Sequence, residues 1–398
     1  MARDRGRHAH PRGAGLMLTN RDIAELTDWR RELHRFPEVS RDEAGTAARV
    51  VAALAPLSPD QVLTGLGGHG VAAVFSSAAP GPTVLFRAEL DALPIEEVSD
   101  APHRSTIPGS GHLCGHDGHM ALLLGLGRLI ARRRPARGRV VLMFQPAEED
   151  GSGAAAVVAD PAFAAIKPDW AFSLHNMPGI SFGRGLLKAG VVNCASQGLK
   201  ITLGGKTAHA SQPEAGTSPA LALAALIDGF THLAPPGPLR PGYRLVTVTH
   251  ARLGEPAFGI APGAAELWIT LRTTEDAEMA SLRAEAVALA EAQARLHGLT
   301  VAFEAHDDFA ASVNDPEATA RIAAALEALG MVHDDADLPM RASEDFGRFG
   351  QPGTRSAMLF LGAGTDFPAL HNPDYDFPDS LIAPGVAIFH RIARDLLG

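Results

Sequence analysis

The chain of 398 residues has few cysteines and tyrosines and no long uninterrupted apolar run. Two cysteines, Cys114 and Cys194, allow at most one disulfide, so a disulfide-based scaffold is excluded and a reducing, cytoplasmic setting is expected. No segment reaches the roughly 20 apolar residues of a membrane span, and no membrane partner is expected. Residues 1–15 also lack the apolar stretch of a secretory signal and are predicted to be a disordered tail.

Basic residues are outnumbered: 35 Lys and Arg stand against 45 Asp and Glu, which gives a net charge of −10. This balance argues against a nucleic-acid partner, because neutralising phosphates requires a clustered basic surface. The hydrophobic fraction of 46% is ordinary for a folded globular protein. The length predicts two domains or one large α/β domain.

Short apolar or β-branched runs alternate with helical stretches in the first half of the chain. The runs are residues 71–75, 83–87, 139–145 and 170–175, and residues 120–134 have a helical pattern. Strands that alternate with helices predict an α/β fold with a mainly parallel sheet covered on both faces. Ligands of such sheets bind beyond the carboxyl ends of the strands.

From residue 196 the pattern changes to strand, helix, two strands, helix and strand, an order typical of a ferredoxin-like α+β domain. These elements are predicted at residues 198–203, 219–233, 244–253, 265–273, 277–297 and 300–306. After these elements, segments rich in polar residues that could take part in catalysis or metal binding occur again at 343–349 and 371–379. We therefore predict an inserted domain at residues 196–309 within a discontinuous domain formed by residues 16–195 and 310–398.

The strongest local motif is Cys114, Gly115, His116, Asp117, Gly118 and His119. Cysteine and histidine are good ligands for borderline metals, and Cys114 and His116 lie two residues apart in a glycine-rich loop before a helix. Taken alone, the motif is equally compatible with a histidine-rich surface loop.

A second motif follows the apolar run at 140–144 and contains Glu148, Glu149 and Asp150. Successive acids at the end of a buried strand are costly unless a cation compensates them. One carboxylate can bind a metal while its neighbour acts as a general base towards a metal-bound water. An exposed acidic turn is the alternative interpretation.

Two further histidines, His175 and His371, are weaker signals individually. His175 ends an apolar run, which is also typical of a packed core histidine, and His371 lies in a turn-rich segment that could be exposed. Combined with the two motifs, they supply enough Cys, His and Glu ligands for two metal ions.

These motifs resemble the dinuclear metallopeptidase family that includes aminoacylase, hippurate hydrolase and the hydrolases of indole-acetyl amino acids. The resemblance extends from Trp29 to the C-terminal region through residues 30–34, 87–95, 114–119, 145–149, 175–176, 205–211 and 371–379. The cysteine-containing loop is similar to that of the amidohydrolase branch. The resemblance implies hydrolysis of N-acyl amino acids or related small amides.

The resemblance also implies a role for each matching residue. The five residues expected to bind two divalent ions (zinc or manganese, with cobalt and nickel as alternatives) are Cys114, His116, Glu149, His175 and His371. Glu148 would be the general base, and Asp91 would orient His116. His209, from the inserted domain, would stabilise the oxyanion or bind the substrate carboxylate. That domain would act as a lid and form a homodimer contact.

Four positions depart from the family pattern. Glu89 stands where an aspartate is usual, and Glu214, Ser218 and Gly259 replace residues common in the lid. We expect the chemistry to be intact and the preferred substrate to lie outside the hippurate-like set. A metallo-dipeptidase or carboxypeptidase, and a non-catalytic metal-binding module, are the alternatives. The presence of Glu148 argues against the non-catalytic module.

Overall fold

The computed structural model describes residues 17–398, so the tail predicted at residues 1–15 lies outside the described range. Within this range the helices are α1 (Asn20–Arg35), α2 (Ala44–Leu54), α3 (His116–Arg132), α4 (Gly153–Ala159), α5 (Ala220–Leu233), α6 (Asp276–Leu296), α7 (Pro316–Ala328) and α8 (Ile382–Leu397). The strands are β1 (Gln61–Leu66), β2 (Gly70–Ser76), β3 (Thr83–Glu89), β4 (Arg139–Gln145), β5 (Trp170–Pro178), β6 (Gly185–Leu186), β7 (Gly190–Asn193), β8 (Ala195–Gly204), β9 (Ala208–His209), β10 (Arg244–Leu253), β11 (Ile260–Ala261), β12 (Ala264–Thr273), β13 (Thr300–Phe309), β14 (Ser312–Asn314), β15 (His333–Asp334) and β16 (Arg355–Gly364).

An eight-stranded sheet with the order β1-β2-β4-β3-β5-β16-β6-β15 forms the centre of the molecule. Its four middle strands, β4, β3, β5 and β16, run parallel to one another. The strands β1 and β2 join one side in antiparallel orientation. The prediction of an α/β fold with a mainly parallel sheet is therefore confirmed.

Helices cover both faces of this sheet, which explains why its central strands β3, β4 and β5 are buried along most of their length. On β3, Phe86 packs into the cluster that contains Leu26 of α1 and Phe389 of α8. The neighbouring Leu85 points to the opposite face, into the cluster with Val157 of α4. Successive strand residues point to opposite faces, so one strand contributes to both layers of the core.

Residues 196–309, called the inserted segment below, form most of a second sheet. Its four strands are antiparallel and have the order β10-β12-β8-β13. The helices α5 and α6 pack on one face and share a separate apolar core with the strands. The chain enters through β7 and leaves through β14, and these two short strands pair with each other.

None of the helices in the described range combines the length and the apolar composition needed to cross a membrane.

Truncation of Phe172 tests the packing of the central sheet. Phe172 is buried and its ring centroid lies 5.7 Å from that of Phe86. We expect Phe172→Ala to lower the free energy of unfolding by about 3–5 kcal/mol, because it removes an aromatic ring and leaves a cavity. Urea unfolding followed by circular dichroism measures the change. Phe182→Ala is the matched control, since Phe182 is 52% exposed; an equal loss in both variants would contradict the packing described.

Candidate metal centre

Neighbouring parallel strands bring polar side chains to one edge of the central sheet. Asp91 follows β3, Glu148 and Glu149 follow β4, His175 lies near the end of β5, and His371 follows β16. Because the carboxyl ends of parallel strands meet at the same edge, residues far apart in sequence converge there. The loop that precedes α3 adds Cys114 and His116 to this edge.

The first group of potential ligands is centred on Cys114. Its Sγ atom lies 3.4 Å from Nε2 of His175. Cys114, His116 and His175 each place one potential ligand atom within 4.8 Å of the other two, which is close enough for one metal ion to contact all three. All three residues are buried.

A second group shares Cys114 and adds Glu149 and His371, again with ligand atoms within 4.8 Å of one another. Nε2 of His371 lies 3.6 Å from Oε2 of Glu149, and the other oxygen of Glu149 lies 3.8 Å from Nε2 of His116. Oε2 of Glu148 lies 3.9 Å from the same His116 nitrogen. The structure therefore brings the five ligands predicted from the sequence together with Glu148.

Unusual backbone geometry supports both loops. Gly115 has a φ of 94°, and a Cβ atom at this position would lie only 2.4 Å from Oδ1 of Asn176. His371 also has a positive φ, 67°, and its amide donates a hydrogen bond to the carbonyl of Leu113 at 2.8 Å. A positive φ at a non-glycine residue is strained and tends to occur at functional sites. The hydrogen bond fixes His371 against the loop that carries Cys114.

Asp91 contacts two of the predicted ligands. Nδ1 of His116 lies 2.9 Å from the carbonyl oxygen of Asp91 and 3.5 Å from its carboxylate. The other carboxylate oxygen accepts hydrogen bonds from the amide of Glu149 at 2.9 Å and the hydroxyl of Ser40 at 2.8 Å. An oxygen beside Nδ1 favours the tautomer with its proton there, which leaves the Nε2 lone pair free for a metal.

His119, in the same motif, has a different role. Its Nδ1 lies 2.6 Å from Oε2 of Glu89, and its Nε2 accepts a hydrogen bond from the amide of Asn176 at 3.2 Å. Both ring nitrogens are thus used inside the protein. Glu89 in turn pairs with the buried Arg87, so His119 braces the strand that carries His175.

The buried ion pairs of Arg87 with Glu344 and Asp345 were not predicted from the sequence. Arg87 is fully buried and contacts Glu344 at 2.8 Å and Asp345 at 2.7 Å. The sequence indicated that the segment at 343–349 contains functional residues. It did not indicate that Arg87 pairs with Glu344, because the two residues lie more than 250 positions apart. These contacts place Glu344 beside Glu148 in one buried carboxylate group.

The electrostatics of the site reflect the burial of many ionisable groups. Burial and then the charge of Glu344 raise the pKa of Glu148, and burial likewise raises the pKa of the Cys114 thiol. Burial opposes the charging of His116, but its interactions with Asp91 and Glu89 prevail and raise its pKa to about 10. The pKa of His175 falls to about 3 because of burial and the nearby His119. A divalent cation at the ligand atoms would favour carboxylate, thiolate and neutral imidazole instead.

Two buried atoms support this interpretation. Among residues 17–398, Nε2 of His116 and Oε1 of Glu149 are buried without any hydrogen-bond partner. Buried polar atoms are nearly always paired, so such atoms require a ligand or a solvent molecule. The mixture of sulfur, nitrogen and oxygen donors suits borderline divalent metals. The residues present therefore fit a metal centre.

A pocket of about 340 Å³ opens onto these residues and reaches the inserted segment. On one side it is lined by Cys114, Glu148, Glu149, His175, Met177, Asn193, Met340, Ala342, Ser343, Glu344, Phe360, Leu370 and His371. On the other side lie Ser196, Gly198, Thr270, Arg272, Asp307 and Phe309. Arg272 donates hydrogen bonds to the hydroxyl of Ser343 and the carbonyl of Arg341, each at 2.9 Å. Among residues 17–398, Arg272 is the only arginine in the lining of this pocket.

His209 lies elsewhere. It is exposed on β9, which pairs with β11, and its Nδ1 lies 2.8 Å from the hydroxyl of Ser211. Within the described range it does not line the pocket beside Glu148. Gly259, one of the departures from the family pattern, accepts a hydrogen bond from the amide of Ala210 and so borders His209.

An α/β fold with Cys, His and Glu side chains gathered at the carboxyl edge of its parallel strands defines a metal-binding hydrolase. The profile of the Peptidase family M20/M25/M40 matches residues 85–395, and the chain belongs to this family. The predicted family and enzyme class are thereby confirmed.

Similar proteins agree with this assignment. The thermostable carboxypeptidase 1 of Saccharolobus solfataricus is 31% identical and covers 86% of this chain and 87% of its own. The N-acetyl-L-cysteine deacetylase of Bacillus subtilis is 30% identical and covers 94% of this chain and 88% of its own. In fold, the chain is similar to a dinuclear metal-binding peptidase, the YXEP protein of Bacillus subtilis. That structure has a TM-score of 0.78 at 24% identity and covers 95% of this chain and 99% of its own.

Metal binding should be visible as a change in stability. A zinc concentration about 100 times Kd should stabilise the metal-free protein by about 2.7 kcal/mol for each site, because the ion binds the folded state. We expect a higher Tm on addition of zinc and a much smaller rise in Cys114→Ala, since Cys114 belongs to both ligand groups. His232→Ala is the control, because His232 is exposed and remote from the pocket lining. A zinc response in Cys114→Ala equal to that of the unmodified protein would count against this site.

Proposed function

We propose that the chain is a two-metal amidohydrolase that cleaves the amide bond of N-acyl amino acids. The observation that carries the proposal is the position of Glu148, a buried acid that lies beside the ligand groups in a pocket that also contains Arg272. A base, a metal centre and a cation for the substrate carboxylate are the components that this reaction needs.

The metal ligands in this proposal are Cys114, His116, Glu149, His175 and His371, with zinc or manganese as the expected ions and cobalt or nickel as alternatives. When bound, the ions lower the pKa of a water molecule and polarise the amide carbonyl. The structural similarity to a dinuclear metal-binding peptidase supports two ions per chain. Both cysteines are free, in keeping with the expected cytoplasmic setting.

Glu148 accepts a proton from the attacking water and passes it to the nitrogen of the leaving amino acid. Its carboxylate lies 3.9 Å from Nε2 of His116 and lines the pocket, so it reaches the reacting atoms without belonging to the five ligands. Burial, assisted by Glu344, raises the pKa of Glu148, which suits a group that must hold a proton before it returns that proton to the leaving nitrogen. Asp91 orients His116 through its Nδ1 contact.

Arg272 binds the carboxylate of the substrate. Its guanidinium can form two parallel hydrogen bonds with a carboxylate, and it faces the pocket from β12. Burial lowers the pKa of Arg272, and within residues 17–398 its guanidinium donates hydrogen bonds to the carbonyl of Arg341 and the hydroxyl of Ser343 rather than to a carboxylate. A substrate anion would supply such a carboxylate.

The inserted segment (residues 196–309) acts as a ferredoxin-like lid over the catalytic domain formed by residues 16–195 and 310–398. The antiparallel order β10-β12-β8-β13 with two helices on one face supports this description. The paired strands β7 and β14 connect it to the catalytic domain at both of its ends. Closure about this pair would bring Arg272 towards the metal ligands and exclude water.

His209 acts in a homodimer. It is exposed, and it pairs across β9 and β11 with Ile260, which is 56% exposed. The nearby Phe258 is fully exposed as well. Exposed apolar side chains around a histidine that does not line its own pocket support a contact in which His209 reaches the pocket of a second copy.

A peptide substrate is the second candidate, favoured by the similarity to a carboxypeptidase. Both reactions use the same base and metals, so only a substrate panel separates them. The test is a panel of N-acyl amino acids, hippurate and dipeptides assayed with zinc or manganese. Hippurate is itself an N-acyl amino acid, so faster hydrolysis of N-acyl amino acids, hippurate included, than of dipeptides would support the proposal. A preference for dipeptides would replace it, and a preference for hippurate would overturn the expectation of a substrate outside the hippurate-like set.

Replacing Glu148 tests the base. We expect Glu148→Gln to lower kcat by about 10²–10⁴-fold, because an amide of the same shape cannot accept the proton. Metal content should stay unchanged, since Glu148 is not one of the five ligands. Asp150→Asn is a matched control in the same acidic run, and it should retain most of the activity. A rate unchanged in Glu148→Gln would remove this residue from the reaction.

Mixing variants tests the role of His209. His209→Ala and Glu148→Gln should each be nearly inactive alone. Dimers that contain one copy of each should regain about a quarter to a half of the activity, because one pocket then has both an intact base and an intact His209 from the partner. Mixed samples without any recovered activity, despite dimers seen in light scattering, would contradict a contribution of His209 across the dimer.

A further inference from the structure

One face of the four-stranded sheet in the inserted segment is not covered by its own helices. Leu199, Ile201, Leu267 and Ile269 point into the core beneath α5 and α6. Strand residues alternate between faces, so Gly198, Lys200, Trp268 and Thr270 lie on the opposite face. This face turns towards the pocket, because Gly198 and Thr270 line it.

A glycine creates a depression on this face. Gly198 on β8 is paired with Thr270 on β12 and with His306 on β13, so the centre of a three-residue row has no side chain. In the next row away from the metal ligands, Lys200 lies between Trp268 and Glu304. The resulting cavity, called the Gly198 trough, has a volume of about 370 Å³.

The Gly198 trough is continuous with the pocket of the metal centre. Gly198, Thr270 and Asp307 line both cavities. Asp307 has a φ of 47° and lies where the pairing of β13 with β8 shifts register. Bulges of this kind often redirect a side chain beside an active site. A molecule bound at the metal centre can therefore extend into the trough, because the two cavities share these lining residues.

The far wall of the trough is a fixed aromatic surface. Trp268 is 44% exposed, its Nε1 donates a hydrogen bond to Glu266 at 3.0 Å, and its ring lies 5.1 Å from that of His250. The ammonium group of Lys200 lies 3.2 Å from Glu304 and 3.6 Å from Glu266, so its charge is compensated. The trough thus offers an aromatic face beside a lysine that is already paired, and Asp307 at its mouth disfavours an anionic group.

We propose that the Gly198 trough binds the side chain of the leaving amino acid and selects large aromatic side chains. This inference rests on the proposed function, because Arg272 is taken to hold the carboxylate attached to the same carbon. Arg272, Thr270 and Trp268 lie on the same face of β12 at intervals of two residues, about 7 Å each. A side chain that leaves this carbon towards the trough passes Thr270 and Gly198 and stacks on Trp268.

Two variants test the trough against a matched control. The measured quantity is the ratio of kcat/KM for N-acetyl-L-tryptophan to that for N-acetyl-L-alanine. We expect Trp268→Ala to lower this ratio about tenfold through KM, and Trp268→Phe to keep it within about twofold. Gly198→Leu, which fills the trough, should lower it at least as much as Trp268→Ala. Leu296→Ala is the control, because Leu296 is 73% exposed at the end of α6.

Calorimetry with free amino acids separates this inference from the proposed function. L-tryptophan should bind the zinc-loaded protein more tightly than L-alanine, and Trp268→Ala and Gly198→Leu should abolish the difference. If no N-acyl amino acid is hydrolysed, the proposed function fails, while the calorimetric preference still decides the trough. Equal affinity for both amino acids, or an unchanged preference in both variants with native circular dichroism spectra, would overturn the inference.

Discussion

The cost of burying ionisable groups at one edge of the central sheet governs the rest of this structure. Glu148, Glu149, His116 and His175 lie close together with little access to solvent. Carboxylates and imidazoles are not stable in such proximity unless a cation compensates them or their protonation changes. The unpaired Nε2 of His116 and Oε1 of Glu149, judged over residues 17–398, mark where that cation belongs. Divalent metal is therefore part of the energetics of this edge as well as of its chemistry.

The surrounding protein holds the ligand-bearing segments with buried ion pairs. Arg30 of α1 contacts Asp117 at 3.1 Å, next to His116, and Asp376 and Asp379 at 2.5 and 2.9 Å, in the segment that follows His371. In the same way, Arg87 of β3 forms a buried ion pair with Glu344, which lies beside Glu148. Removal of one member of a buried pair leaves an uncompensated charge, so these arginines make the ligand positions difficult to displace. The ligands thus converge on a scaffold held together by buried ion pairs.

Much of this arrangement could be predicted from the sequence because its signals are local. The apolar run at 139–145 corresponds to β4 and leads directly to Glu148, and the order of elements in the inserted segment follows from their spacing. Other features depend on contacts between distant residues. β16 lies in the middle of the sheet, yet its run at 355–364 was not recognised as a strand. The partners of Arg87 and the Gly198 trough depend on which strands become neighbours, and the exposed position of His209 depends on the pairing of β9 with β11.

The most direct test of the central claim is the number of metal ions per chain, measured by mass spectrometry together with amide hydrolysis while zinc is titrated into chelator-treated protein. About two ions per chain, with activity that rises as the ions bind, is the result that this account predicts. Full hydrolytic activity in protein without metal, or no binding of zinc, manganese, cobalt or nickel, would contradict it. The first result would remove the ions from the reaction, and the second would mean that the cluster from Cys114 to His371 is not a metal centre.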